Sequence, residues 1–189
     1  MARMEAFLSV GLGVGIAAAC GLRVFLPFLL LGAAARLGWV PLAPGFEWIS
    51  GTPALIALGT ATVLEIAAYY VPWLDHALDV IASPVAVVAG MLATAAVLTD
   101  LPPAARFAIA IVAGGGAAAA IQATSVLLRL KSTALTGGLG NPVVATAEWI
   151  GAATVTLVAI ALPLAGLLLA AAALALLLRR GGRGARPRG

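Results

Sequence analysis

Five ionisable residues, Arg23, Glu65, Asp75, Asp79 and Glu148, lie within or beside long apolar runs. A charge near a bilayer centre costs about 3 kcal/mol or more, so such groups face a bundle interior or an aqueous cavity. Ion binding, proton transfer and compensation of a buried partner are the chemistries open to them. Glu65, in the middle of its run, is too short to reach an interface easily and points to a functional or buried-pair role. Arg23 follows Gly21 and precedes Pro27. It is either an interior counter-charge to Glu65 or Glu148, an anion contact, or an arginine snorkelling to the interface.

Asp75, His76 and Asp79 fall at helical spacing, where they share a broad face. With Glu65 they could bind a divalent cation through oxygen and imidazole ligands or line a cation or proton pathway, but a solvated acidic turn is the simpler reading. No resident metal and no cofactor is expected. Residues 136–148 are the most site-like stretch. Glycines allow close backbone approach, and Asn141-Pro142 suits a helix start. Such a start offers free N–H groups and a positive dipole end to an anion. Arg129 and Lys131, just upstream, are candidate anion contacts. A nucleophile with a histidine base is not apparent, the chain has one histidine, and no enzyme is expected.

Elements able to position these groups are apolar and helical. The 189-residue chain is 63% hydrophobic and 10% charged, with a mean hydropathy of +1.13. Soluble domains are nearer half apolar and a quarter charged. Lipid as solvent resolves the excess, and helices satisfy their own backbone there. The expected architecture is an all-α, polytopic transmembrane bundle of five or six spans. The runs are residues 6–37, 53–71, 81–98, 104–128 and 143–178. The first is one tilted helix or is broken near Gly21. Pro163 kinks or splits the last. Residues 39–51 read as a loop. All four tryptophans, Trp39, Trp48, Trp73 and Trp149, fall near run ends, as in an aromatic belt.

Residues 1–178 form one expected transmembrane domain, and 179–189 a basic disordered tail. That tail holds Arg179, Arg180, Arg183, Arg186 and Arg188, which puts the C-terminus in the cytoplasm of a multi-pass inner-membrane protein. Six spans place the N-terminus inside, five outside. With no aromatic residues among these arginines, nucleic acid is not an expected partner. The expected partners are the lipid bilayer, a small ion or polar solute, and further copies of the chain. Cys20 is the sole cysteine, so no intrachain disulfide forms.

A shift of 101 positions places Gly13, Gly15 and residues 17–19 on Gly114, Gly116 and residues 118–120. It also places Pro41 on Pro142, and Glu47-Trp48-Ile49 on Glu148-Trp149-Ile150. This suggests a degenerate duplication, with halves at 5–100 and 104–178. Three spans per unit would invert the copies and place broken or re-entrant helices around a central site.

The strings GIAAACGLRVFLPFLLLGAAARLG, LEIAAYYVPWLDHALDVIASPVAVVAG and GNPVVATAEWIGA resemble the domain of unknown function 4126 family of small prokaryotic membrane proteins. The resemblance runs from about Gly11 to Gly166. It rests on Gly21-Leu22-Arg23, on Glu65, Pro72, Asp75 and Asp79, and on Asn141 with Glu148. Members often carry an acidic residue at the position of Tyr69 or Tyr70, a departure that weakens a metal site needing a fourth acid. The resemblance implies membership and architecture and no particular activity.

The expected function is transport or channelling of a small ion or polar solute. Glu65 and Glu148 would bind or couple cations, Arg23 and Asn141 would orient substrate, and Asp75 and Asp79 would form a vestibule. The alternatives are a non-transporting scaffold or accessory subunit, and a phosphorylated-lipid handler using Arg23, Arg129 and Lys131.

Overall fold

The computed structural model describes residues 2–68, 72–166, 168, 172 and 175, with the backbone alone for residues 2–3 and 72–81. Among these residues the protein is all-helical. The elements are α1 (Ala2–Cys20), α2 (Phe25–Arg36), a 3-10 turn (Glu47–Ser50), α3 (Thr52–Ala68), α4 (Pro72–Val97), α5 (Pro103–Ile109), a π-turn (Ala110–Gly115), α6 (Gly116–Thr136) and α7 (Asn141–Ala161). Helices Pro103–Thr136 and Asn141–Ala161 are long and apolar enough to cross a membrane. Met4–Cys20, Phe25–Arg36, Thr52–Ala68 and Ala82–Val97 are apolar but shorter.

Close contacts set the direction of each helix. Gly13 lies against Thr94 and Val97, while Gly90 meets Ala17, so α1 and α4 are antiparallel. Gly90 and Thr94 also meet Gly114, and Ser83 meets Gln122, so α4 opposes the continuous helical run from α5 to α6. Gly11 against Pro163, Gly15 against Ala159 and Arg23 against Glu148 set α7 antiparallel to α1. The first helix is thus the central strut, packed by α4, α6 and α7. Small residues allow this closeness. A Cβ on Gly21 would sit 2.5 Å from the Ala118 carbonyl oxygen. The π-turn, rich in glycine, falls where its helix crosses α4 at Gly90 and Thr94. There the Thr94 hydroxyl lies 2.9 Å from the Gly90 carbonyl and 3.1 Å from that of Gly13.

The run at 6–37 is broken, and the chain reverses at the break. α1 leads from Glu5 to Arg23, and α2 leads back. Pro41 lines the same cavity as Glu5 and Leu12, and the Ala43 N–H donates to the Ala96 carbonyl at 2.7 Å. α3 then runs antiparallel to α2. Thr52 accepts a bond from Arg36 at 2.8 Å, and Glu65 reaches Val24 at the other end. The α1–α2 hairpin stops short of the far end of the bundle. Its tip pairs with Glu148, seven residues into α7, which is about 10 Å from the start of that helix at 1.5 Å per residue.

Several sequence expectations change in detail. The helix of the fourth run continues past Arg129 and Lys131 to Thr136, and the loop at 39–51 contains the 3-10 turn. At Leu162 the chain folds back, bringing Gly166 against Ala159, because Pro163 cannot extend α7. The matched glycines and alanines of the 101-position shift lie on α1 and on the run from Pro103, which are parallel, not inverted. The hairpin explains this. It makes α2 return, whereas the corresponding residues 126–137 continue onward in α6.

Candidate functional site

The hairpin tip is the most heavily buried polar region among the described residues. Residues 21–24 leave the helical ladder after Cys20, and α2 begins with backbone N–H groups that have no partner one turn earlier. Glu65, reaching across from α3, supplies the missing acceptor. Its Oε1 accepts from the Val24 N–H at 3.2 Å, and its Oε2 from the Phe25 N–H at 3.4 Å. A carboxylate is well suited to this place, because the positive end of the helix dipole faces it. Burial among apolar helices requires such pairing, since a lone carboxylate there would be strongly disfavoured.

Arg23, at the same tip, is 1% exposed. Its Nη2 donates to Glu148 Oε2 at 2.9 Å and to the Ala145 carbonyl at 3.1 Å. Arg129 approaches Glu148 from α6. It donates Nε to Oε1 at 3.2 Å and Nη2 to Oε2 in a side-on fork. Ser125, one turn earlier on α6, donates its hydroxyl to Oε1. Glu148 therefore receives four donors on four lone-pair sites, the full acceptor capacity of an ionised carboxylate. The local triad of two arginines and one glutamate carries a single positive charge. Glu65, within electrostatic reach of both arginines, balances it.

A polar stripe continues from this centre. On α6, Gln122, Ser125, Arg129 and Thr133 share one face at helical spacing. Gln122 lies 3.4 Å from Ser83 of α4, and Thr133 pairs with Asn141 of α7 at 3.0 Å. The stripe thus runs about 16 Å along α6 and ends beside the turn at residues 137–140. At the opposite end of α1, a cavity of about 530 Å³ is bounded by Leu8, Leu12 and Val97, with Glu5 and Asp100 among its lining. The packed segment from Ile16 to Cys20 separates that cavity from the charged centre.

Of the residues selected from the sequence, Arg23, Glu65, Glu148 and Arg129 come together, and Asn141 sits one turn beyond. Lys131 is exposed, outside this cluster. The side chains of Asp75 and Asp79 lie outside the described residues. Glu148 is engaged by arginines, which leaves it poorly placed as a cation ligand. Ser125 and Thr133 were not anticipated. Their signal was the helical spacing with Arg129, masked because isolated hydroxyl residues are common in apolar helices, where they bond back to their own turn. Thr124 and Thr156 do so.

Comparison with curated proteins and with solved structures returns no match. A family model described as a domain of unknown function (DUF4126) matches residues 10–181. That match spans nearly the whole chain, including the hairpin tip, Glu65, Arg129 and Glu148, and the chain therefore belongs to the DUF4126 family.

Proposed function

We propose that this protein is a polytopic inner-membrane protein that moves a small ion or polar solute, with the cluster at the α1–α2 tip as its central site. The observation that carries this reading is the placement of Arg23, from the α1–α2 turn, with Glu65, Arg129 and Glu148, from three separate helices, around an irregular backbone inside an otherwise apolar bundle. Irregular backbone at membrane depth is tolerated where protein buries it or where it lines an aqueous cavity. Discontinuous helices that present their ends to a central site are a recurring transporter plan.

Three features support the membrane setting. Large apolar side chains, among them Ile56, Val63, Leu64, Val112, Leu135 and Val143, point outward on several helices. A surface this apolar calls for lipid or partner protein. The two long apolar helices meet the length requirement for a span. With α5 and α6 running as one helix, each helical run reverses the direction of the one before, as successive crossings would, with the α1–α2 hairpin re-entrant.

The test is uptake into proteoliposomes by wild type and by a Glu65→Gln, Glu148→Gln double variant, with equal incorporation. Loss of flux is the expected result, and the Glu65→Gln single variant, which leaves the Glu148 ion pairs in place, separates loss of function from loss of fold. Equal flux would remove both carboxylates from the mechanism. A double variant that fails to assemble, alongside a wild type that moves no solute, would favour a membrane scaffold.

A further inference from the structure

Among the described residues, the four charges at the hairpin tip sum to zero, with Arg23 and Arg129 positive and Glu65 and Glu148 negative. The two acids are held unequally. Glu148 accepts from both guanidinium groups and Ser125. Glu65 accepts two long backbone bonds, from Val24 and Phe25. Among the described residues, the groups facing Glu65 are Cys20 of α1, these two amides at the start of α2, and the two arginines. The Arg129 fork and the Ser125 hydroxyl already grip a planar, two-oxygen anion, supplied by Glu148. A fork of this kind matches carboxylate geometry. Arg129 is also the cation on the polar stripe, one turn from the Thr133–Asn141 pair that bridges α6 and α7 beside their connecting turn.

We infer that this centre binds one small soluble carboxylate together with one proton, the anion on the Arg129 fork and the proton on Glu65. Glu148 stays paired with Arg23 when the ligand takes its place at Arg129. The charges then balance as two ion pairs and one neutral acid. Without the proton, the anion would leave an uncompensated negative charge in a low-dielectric interior, which is strongly unfavourable. The proton comes from water and adds to a carboxylate oxygen of Glu65, which breaks no ion pair. No other covalent bond changes. The inference deepens the transport reading by naming its substrate class, but it concerns binding and can be tested without flux.

The experiment uses the full-length protein in detergent, with sodium acetate as the probe and sodium chloride at equal ionic strength as the control. Inorganic phosphate and phosphatidylglycerol micelles are the comparators. Binding is read by thermal shift across a pH series kept above about 5.5, so that acetate stays ionised. Wild type is expected to be stabilised by acetate, with affinity rising up to roughly tenfold per unit fall in pH, the limiting slope for one linked proton. Glu65→Gln, whose amide oxygen still caps α2, should bind acetate with that slope abolished. Arg129→Gln should lose binding, and circular dichroism reports whether it has folded. Absence of acetate stabilisation in wild type, pH-independent acetate binding, or stabilisation by phosphatidylglycerol alone would each overturn the inference. Acetate binding without flux in proteoliposomes would leave this site standing and remove the transport reading. Flux of another solute, indifferent to acetate, would do the reverse.

Discussion

Arg23 Nη2 and Glu148 Oε2 lie 2.9 Å apart, although 125 positions separate them in the chain. The pair joins the tip of the α1–α2 hairpin to α7, and Arg129 joins α6 to the same carboxylate. Three helical segments are therefore tied at one point. Breaking it should disturb both the charge balance and the packing of the hairpin.

Removing the carboxylate charge alone should be severe. Glu148→Gln leaves two buried arginines without their counter-ion, and loss of about 3–5 kcal/mol is expected for breaking a buried pair. A double-mutant cycle with Arg129→Gln, followed by unfolding in detergent, should give a coupling of about 0.5–3 kcal/mol. Additive single effects would mean that the two groups do not interact.

Glu65 should act as a helix cap. Glu65→Ala leaves the first amides of α2 without their acceptor, at a cost of about 1 kcal/mol. Hydrogen exchange should speed up at Val24 and Phe25 and stay unchanged at the start of α7. Glu65→Gln should protect these amides nearly as well as wild type. Unchanged exchange in the alanine variant would refute the capping role.

Two glycines should respond in opposite ways. Gly21→Ala drives a methyl group to 2.5 Å from the Ala118 carbonyl, and overpacking of this kind costs about 1–3 kcal/mol. Gly116→Ala meets open space and should be neutral or stabilising by up to about 1 kcal/mol, from better helix propensity. Thermal unfolding of the two variants side by side distinguishes them.

On the proposed membrane topology, the α1–α2 hairpin predicts sidedness. In a background with Cys20→Ala, cysteines introduced at Gly45 and Asp100 should be labelled by an impermeant reagent from the same side of the membrane. A cysteine at Gly138 should be labelled from the other. Labelling of Gly45 and Gly138 from one side would contradict the hairpin. Cys20 itself, fully buried, should resist labelling in the folded wild type.

Much of the fold was legible from local signals. Apolar runs longer than a strand require helices, and Asn141-Pro142 marked a real helix start, whereas α4 begins at Pro72, ahead of the apolar run at 81–98, and takes in the residues read as an acidic turn. Gly21 marked the break in the first run, because glycine is a poor helix former and α1 ends at Cys20. The lengths of the runs were less informative. Arg129 and Lys131 looked like the end of a helix, yet that helix continues to Thr136, since helices tolerate arginine wherever a partner awaits it.

By itself, the sequence determined that Arg23, Glu65 and Glu148 need partners, because an isolated charge cannot remain among apolar helices. It could not name those partners. Alanine and glycine fit many registers equally well, so the apolar pattern does not choose which helices meet or in which direction they run. The tertiary structure decided that Arg23 and Arg129 share Glu148, that Glu65 caps α2, and that the matched segments are parallel. Those outcomes depend on the reversal at residues 21–24 and on contacts such as Gly21 against Ala118. Only the folded chain brings these together, because the pairing free energy is gained by groups far apart in sequence.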